Sequence, residues 1–177
     1  QEILYELNKI KDEKHSEEFY KKYKKLMSIP VFVDSPLAIS ATEVFRENMC
    51  LFDDETQAMI KSGDNPLEFP GLKFTRTAEE SKELNTMDDS SIIISASGMC
   101  EVGRIKHHLK HHLWDSNSTI LFVGYQAPGT LGRKIVEGAK NVRIFGEDIA
   151  VNARIEYIEG YSGHADQECL MNFVYSF

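Results

Sequence analysis

Apolar residues along this chain fall into two alternating patterns: short unbroken runs and longer stretches with one apolar face. Val31-Phe32-Val33, Leu72–Thr75, Ser91–Ser95 and Thr119–Gly124 are runs of strand length. Helical periodicity covers Gln1–Lys11, Ser16–Met27, Pro36 to about Asn48, Asp54–Lys61, Ala78–Leu84, Val102–Leu113, Leu131–Glu137 and a last stretch through Tyr175. Local punctuation supports these limits. Ser16 is placed to cap a helix whose first turn holds Glu17 and Glu18, and Ser35 before Pro36 reads as a cap followed by the first helical residue. Gly63 and the Asn65-Pro66 pair end another. Buried-type strands alternating with amphipathic helices predict an α/β fold, a mostly parallel sheet with helices on both faces. Val142–Phe145 and Ile149–Ile158, set around a Gly146-Glu147-Asp148 turn, break that rhythm as a hairpin. A domain boundary is therefore expected near Gly146, giving residues 1–145 and 146–177.

Composition changes this picture little. With 177 residues, 42% hydrophobic and 27% charged, the chain has ordinary globular character and enough length for a real core. No apolar run approaches the roughly 20 residues of a membrane helix. Cys50, Cys100 and Cys169 are odd in number and far apart, which disfavours a disulfide scaffold and fits a reducing cytoplasm. A start at Gln1 without a signal-like segment suggests an excised piece. Net charge is −8 overall, but it is −8 within residues 31–90 and only −1 within residues 91–177. The balance argues against a basic coat protein for nucleic acid while leaving a local anion site in the second half open.

Chemistry is expected where strands run into helices, because open α/β sheets bind ligands at the carboxyl edge. Four such junctions share small, hydroxyl or glycine residues: Asp34-Ser35, Ser95-Ala96-Ser97-Gly98, Gln126-Ala127-Pro128-Gly129-Thr130 and Ser162-Gly163-His164. Each allows a ligand close to the backbone, and the helix that follows offers N–H groups to an anion. Arg104, Lys106, Arg133 and Lys134 lie in the following helices and add positive charge. The same residues also suit plain helix caps and turns. Neither a dinucleotide nor a P-loop glycine fingerprint is present.

The cluster His107-His108-Leu109-Lys110-His111-His112 contains two pairs at helical spacing, yet no third metal ligand is evident. His108 and His112 fall at the edge of a stripe formed by Val102, Ile105, Leu109 and Leu113, so surface or interface histidines are expected and no metal residue is assigned. His164 stands apart, in a glycine-bearing turn with Asp166 two positions on, a setting suited to acid–base work.

Four motifs in order, Asp34-Ser35-Pro36-Leu37-Ala38, Ser95-Ala96-Ser97-Gly98-Met99, Gly124-Tyr125-Gln126 with Gly129-Thr130-Leu131-Gly132, and Ser162-Gly163-His164-Ala165-Asp166, resemble the β-CASP family. These are metallo-β-lactamase-fold nucleases of RNA processing, such as ribonuclease J and the cleavage and polyadenylation endonuclease. The resemblance implies a Rossmann-like β-CASP domain over residues 1–145 and a partial return into the metallo-β-lactamase domain over 146–177. It implies a zinc-dependent ribonuclease that hydrolyses phosphodiester bonds in single-stranded RNA, with two zinc ions in the full-length enzyme. His164 matches the motif histidine that contacts the scissile phosphate and assists the leaving oxygen. Ser35, Ser97, Gly98, Gln126, Gly129 and Thr130 resemble residues lining the RNA groove.

The family's zinc-binding His-x-His-x-Asp-His motif has no counterpart here. None of the family's zinc ligands is therefore expected in this chain, which on its own should be inactive and should partner the missing metallo-β-lactamase domain. Ile155, Tyr157, Ile158, Phe173, Val174 and Phe177 are expected to expose apolar surface, opening homo-oligomerisation. Two other readings stand beside this one: a non-catalytic β-CASP scaffolding subunit, and a small phosphate- or sugar-binding α/β domain.

Overall fold

Val31–Asp34 (β1) is buried along its whole length and pairs in parallel on both sides, with Leu72–Phe74 (β2) and Ile92–Ser95 (β3), in the order β2-β1-β3. A strand flanked on both edges and covered on both faces reads as a near-continuous apolar run, which is why Val31, Phe32 and Val33 show no alternation; the buried Asp34 at its end is the exception. The computed structural model describes residues 1–11, 17–158, 160, 161 and 165–176. Among these, Glu2–Lys11 (α1), Glu17–Ser28 (α2), Pro36–Glu47 (α3), Asp54–Lys61 (α4) and Ala78–Leu84 (α5) accompany the first sheet. Leu4, Val31, Val33, Ile39, Leu67 and Phe69 form its core.

A second core holds Leu109 and Leu113 from the region of Ile105–His112 (α6), Phe122 from Thr119–Phe122 (β4), and Leu131 and Ile135 from Leu131–Val136 (α7). Cys100, Ala153, and Val142 and Ile144 of Asn141–Ile144 (β5) complete it. The stretch expected as one strand from Ile149 is two. Glu147–Ala150 (β6) pairs antiparallel with β5, and Arg154–Tyr157 (β7) pairs in parallel with β4. The break arises at Asn152 and Ala153, whose N–H groups both donate to the Leu113 carbonyl and turn the chain from one sheet to the other. The hairpin turn falls at Phe145-Gly146, with φ of 50° and 84°, rather than at Gly146-Glu147-Asp148. The expected boundary near Gly146 thus lies at the tip of this hairpin.

Helix limits follow the caps. Ser35 caps α3, Asp53 caps α4 and Thr77 closes a reciprocal capping box with Glu80 on α5. Helix α6 starts at Ile105 instead of Val102, leaving Val102 exposed. Asp166 caps Gln167–Tyr175 (α8), on which Leu170, Met171, Phe173, Val174 and Tyr175 are all exposed. Of the residues expected to present apolar surface, Tyr157, Ile158, Phe173 and Val174 do; Ile155 packs against the second core, and Phe177 lies outside the described residues. No helix among the described residues is long and apolar enough to cross a membrane.

The second core carries a direct test. Leu109 is a fully buried member of that cluster. Leu109→Ala should lower the unfolding free energy by about 2–5 kcal/mol in urea titration; a change below 0.5 kcal/mol (roughly the surface-substitution range) would contradict this packing.

Candidate functional site

Because β1, β2 and β3 are parallel, their carboxyl ends meet at one edge, and the residue that organises that edge is Asp34. It is fully buried. Thr75 Oγ1 and Arg104 Nη1 donate to Oδ1, the latter at 2.6 Å, while Ser81 Oγ and His108 Nε2 each meet Oδ2 at 2.6 Å. Ser95 Oγ donates to the Asp34 carbonyl at 2.9 Å. Burial opposes the charge on Asp34, and the bonds from Ser81, Thr75, His108 and Arg104 outweigh it, so its carboxyl stays below the ordinary value. Burial likewise pushes the His108 imidazole below its ordinary value, with Asp34 pulling the other way. His108 Nδ1 lies 2.7 Å from Asn85 Oδ1, so both ring nitrogens are engaged.

Arg104 extends the link. Its guanidinium also donates to the carbonyls of Thr75 at 3.0 Å and Arg76 at 2.9 Å. The loop just before it, residues 96–103, is closed on itself: Ser97 Oγ and N both donate to the Val102 carbonyl, and Ile105 N donates to the Ala96 carbonyl. A side chain at Gly103 (φ 86°) would put its Cβ 2.3 Å from the Ala96 oxygen, so this closure needs glycine.

The far side of the same loop is braced by the junction after β4. Gln126 Nε2 donates to the carbonyls of Gly98 and Gly124, both at 2.9 Å. Gly132 N donates to the Met99 carbonyl at 3.1 Å, and Leu131 N to Glu101 Oε1 at 2.5 Å. A Cβ at Gly132 would fall 1.9 Å from Gln126 Oε1, so the missing side chain makes room for the carboxamide. Gln126 Oε1 has no hydrogen-bond partner among the described residues.

Three of the four expected junctions are therefore gathered by named bonds. The fourth, Ser162-Gly163-His164, lies outside the described residues, so His164 has no described position. The strand leading toward it, β7, ends beside β4: Ile158 N donates to the Phe122 carbonyl at 2.9 Å. Asp166 is spent on its cap, where the Cys169 N–H holds its carboxyl below the ordinary value.

The assigned residues divide by exposure. Ser35 is buried and its Oγ accepts from Ala38 N; Gln126 is buried as the brace described above. Thr130 Oγ1 donates to the Ala127 carbonyl and accepts from Arg133 N, and Ser97 is held by Val102. Gly98 and Gly129 are exposed. Several helix-start N–H groups expected to meet a bound anion are thus satisfied from within the chain, by Ser35 on α3 and by Glu101 and Thr130 on α7.

His108, expected at the edge of the apolar stripe as a surface or interface histidine, is buried. The signal was available in Asp34: a carboxylate continuing the run Val31-Phe32-Val33 is a buried charge that requires partners. No group of three or more His, Cys, Asp or Glu that could hold a metal occurs among the described residues, and His108 is already committed to Asp34 and Asn85. The described residues therefore do not fit a zinc site. Burial pushes the Cys100 thiol up to about 12, which makes it inert.

This geometry can be set beside known proteins. The family model described as the Beta-Casp domain matches residues 1–135. The chain belongs to the β-CASP family. A second model, described as the RNA specificity domain of Zn-dependent metallo-hydrolases, matches residues 148–177. β-CASP relatives include ribonuclease TTHA0252 of Thermus thermophilus, 36% identical over 174 residues, covering 98% of this chain and 38% of that protein. Transcription termination factor FttA of Methanocaldococcus jannaschii is 31% identical over 84% of this chain and 24% of its own length. An RNase J-like protein of the same organism is 33% identical over 85% and 33% respectively. The chain thus spans well under half of these relatives, and the family it joins is one of metallo-β-lactamase-fold nucleases of RNA processing.

Asp34→Asn leaves the Arg104 guanidinium without its buried counter-charge and should cost about 3 kcal/mol or more at neutral pH. Because the folded carboxyl lies below its ordinary 3.8, the Asp34 contribution is complete above that value and is lost as pH falls through the folded one. Urea titrations of wild type and variant should converge in acid; a constant difference across pH would contradict the charged cluster.

Proposed function

We propose that this chain is the RNA-binding cap of a zinc-dependent ribonuclease that hydrolyses phosphodiester bonds in single-stranded RNA. Membership of a nuclease family supports the reading, and one observation carries it on this chain. The junctions after β1, β3 and β4 are tied into a single edge on which Gly98 and Gly129 stay open. Exposed glycine backbone lets a sugar–phosphate chain approach closely. The buried Ser35 hydroxyl holds the start of α3 and the buried Gln126 carboxamide holds the Gly98 loop, while Ser97 and Thr130 order the two open glycines beside them.

In this reading residues 1–145 are the β-CASP domain and residues 146–177 lead back into the metallo-β-lactamase domain. His164 contacts the scissile phosphate and gives a proton to the leaving oxygen. Two zinc ions belong to ligands other than the described residues, so the chain alone binds RNA without cutting it. The exposed apolar face of α8, with Leu170, Phe173 and Val174, supports docking of the missing domain or self-association in its absence.

Gly98 offers a clean test, since a Cβ there meets nothing within 4 Å. Gly98→Leu should leave thermal stability almost unchanged while weakening the binding of a short single-stranded RNA about tenfold, read by fluorescence anisotropy. Unchanged affinity would sink the open-edge reading. In the full-length enzyme, His164→Ala should sharply lower turnover with zinc content unaltered; wild-type rates would remove His164 from the mechanism. Light scattering checks the apolar face: Phe173→Glu should shift a self-associated chain toward monomer, whereas a wild type already monomeric at high concentration would contradict it.

A further inference from the structure

The hairpin between β5 and β6 turns on Phe145 and Gly146, both left-handed. Two-residue turns of this kind favour Asn-Gly or Asp-Gly, because φ above zero strains a bulky side chain. Phe145 is in that conformation without the burial that would offset it, since 49% of its surface is exposed. An outlier of this kind is a reason to look for a ligand.

Its surroundings are aromatic and cationic. The His107 ring lies against Phe145 with centroids 4.6 Å apart and planes 34° from parallel, and Lys106 Nζ sits 5.2 Å from the Phe145 centroid. Arg143 is exposed and its Nε donates to the Gly146 carbonyl at 3.1 Å. Lys110 is paired with Glu147, and Asp148 lies opposite Arg143 in the hairpin register. Lys106 also donates to the Glu101 carbonyl at 3.3 Å, which joins this surface to the loop carrying Gly98.

We propose that Phe145 and His107 form a stacking platform for an unpaired nucleobase of single-stranded RNA, with Lys106 and Arg143 toward its phosphates. The proposal rests on the RNA-binding reading above and extends the bound strand from the Gly98 loop along α6. A flat ring with a neighbouring imidazole presents a π-face that any base can cover, and adjacent cations favour the phosphates on either side of it. A protein contact would call for a broader apolar surface than one ring among charged neighbours.

The test uses the 177-residue chain and a short oligoadenylate carrying one fluorescent 2-aminopurine. Wild type should bind it and quench the fluorophore. Phe145→Ala should weaken binding by about fivefold or more and abolish quenching, as expected for one lost stacked base. Phe145→Trp should restore both. Phe145→Asn, suited to the turn, should unfold no earlier than wild type yet bind like Phe145→Ala. An abasic oligonucleotide should bind wild type and Phe145→Ala alike. If wild type binds the oligoadenylate and Phe145→Ala matches it in affinity and quenching, the platform is wrong while the RNA reading survives. If wild type binds no RNA at all, the RNA reading itself falls. A change confined to self-association or peptide binding would mark a protein contact instead and overturn the proposal.

Discussion

A carboxylate with no exposed surface cannot stay charged unless its surroundings replace water, and Asp34 is surrounded accordingly. Its donors come from separate parts of the chain: Thr75 follows β2, Ser81 belongs to α5, and Arg104 and His108 bracket the start of α6. Satisfying one charge therefore fixes the relative positions of the strand ends and the two helices behind them. The first sheet could keep its apolar packing without Asp34. Its carboxyl edge could not keep the same shape.

The loop between β3 and α6 transmits that constraint. Arg104 fastens it to the tips of β1 and β2, and Gln126 fastens it to the junction after β4. Two glycines make the fit possible, Gly103 beneath the Ala96 carbonyl and Gly132 beneath the Gln126 carboxamide. On the proposed reading, a braced loop with open glycine backbone on top suits an extended phosphodiester, because little order remains to be created on binding. The −8 net charge is compatible with this, since the acidic excess sits in residues 31–90 and part of it, Asp34, is neutralised internally.

Much of the fold was legible in the sequence because its signals are local. The buried run at Val31 and the Ser35-Pro36 start of α3 need only their neighbours to be read. What escaped was set by contacts beyond the next few residues. The division of the 147–157 stretch into β6 and β7 depends on the Leu113 carbonyl, and the late start of α6 depends on how residues 96–103 close. The junctions could be read from the sequence, and three of the four meet through Asp34, Arg104 and Gln126, but the bonds inside them could not be read. Ser35 and Gln126 were read as ligand contacts, and hydroxyls and amides serve ligands and turns equally well. The anion places at α7 looked open because Glu101 is thirty positions from Leu131, and nothing in the spacing announces their bond.

The proposed RNA site is one tied edge, reaching from Gly98 to Thr130. Amide chemical shifts of the 177-residue chain, followed while a short single-stranded RNA is added, address it most directly. The largest movements should cluster at Gly98, Gly129 and Thr130 and saturate together. Movements confined to α1, α2 and α4, with those three amides silent, would contradict it.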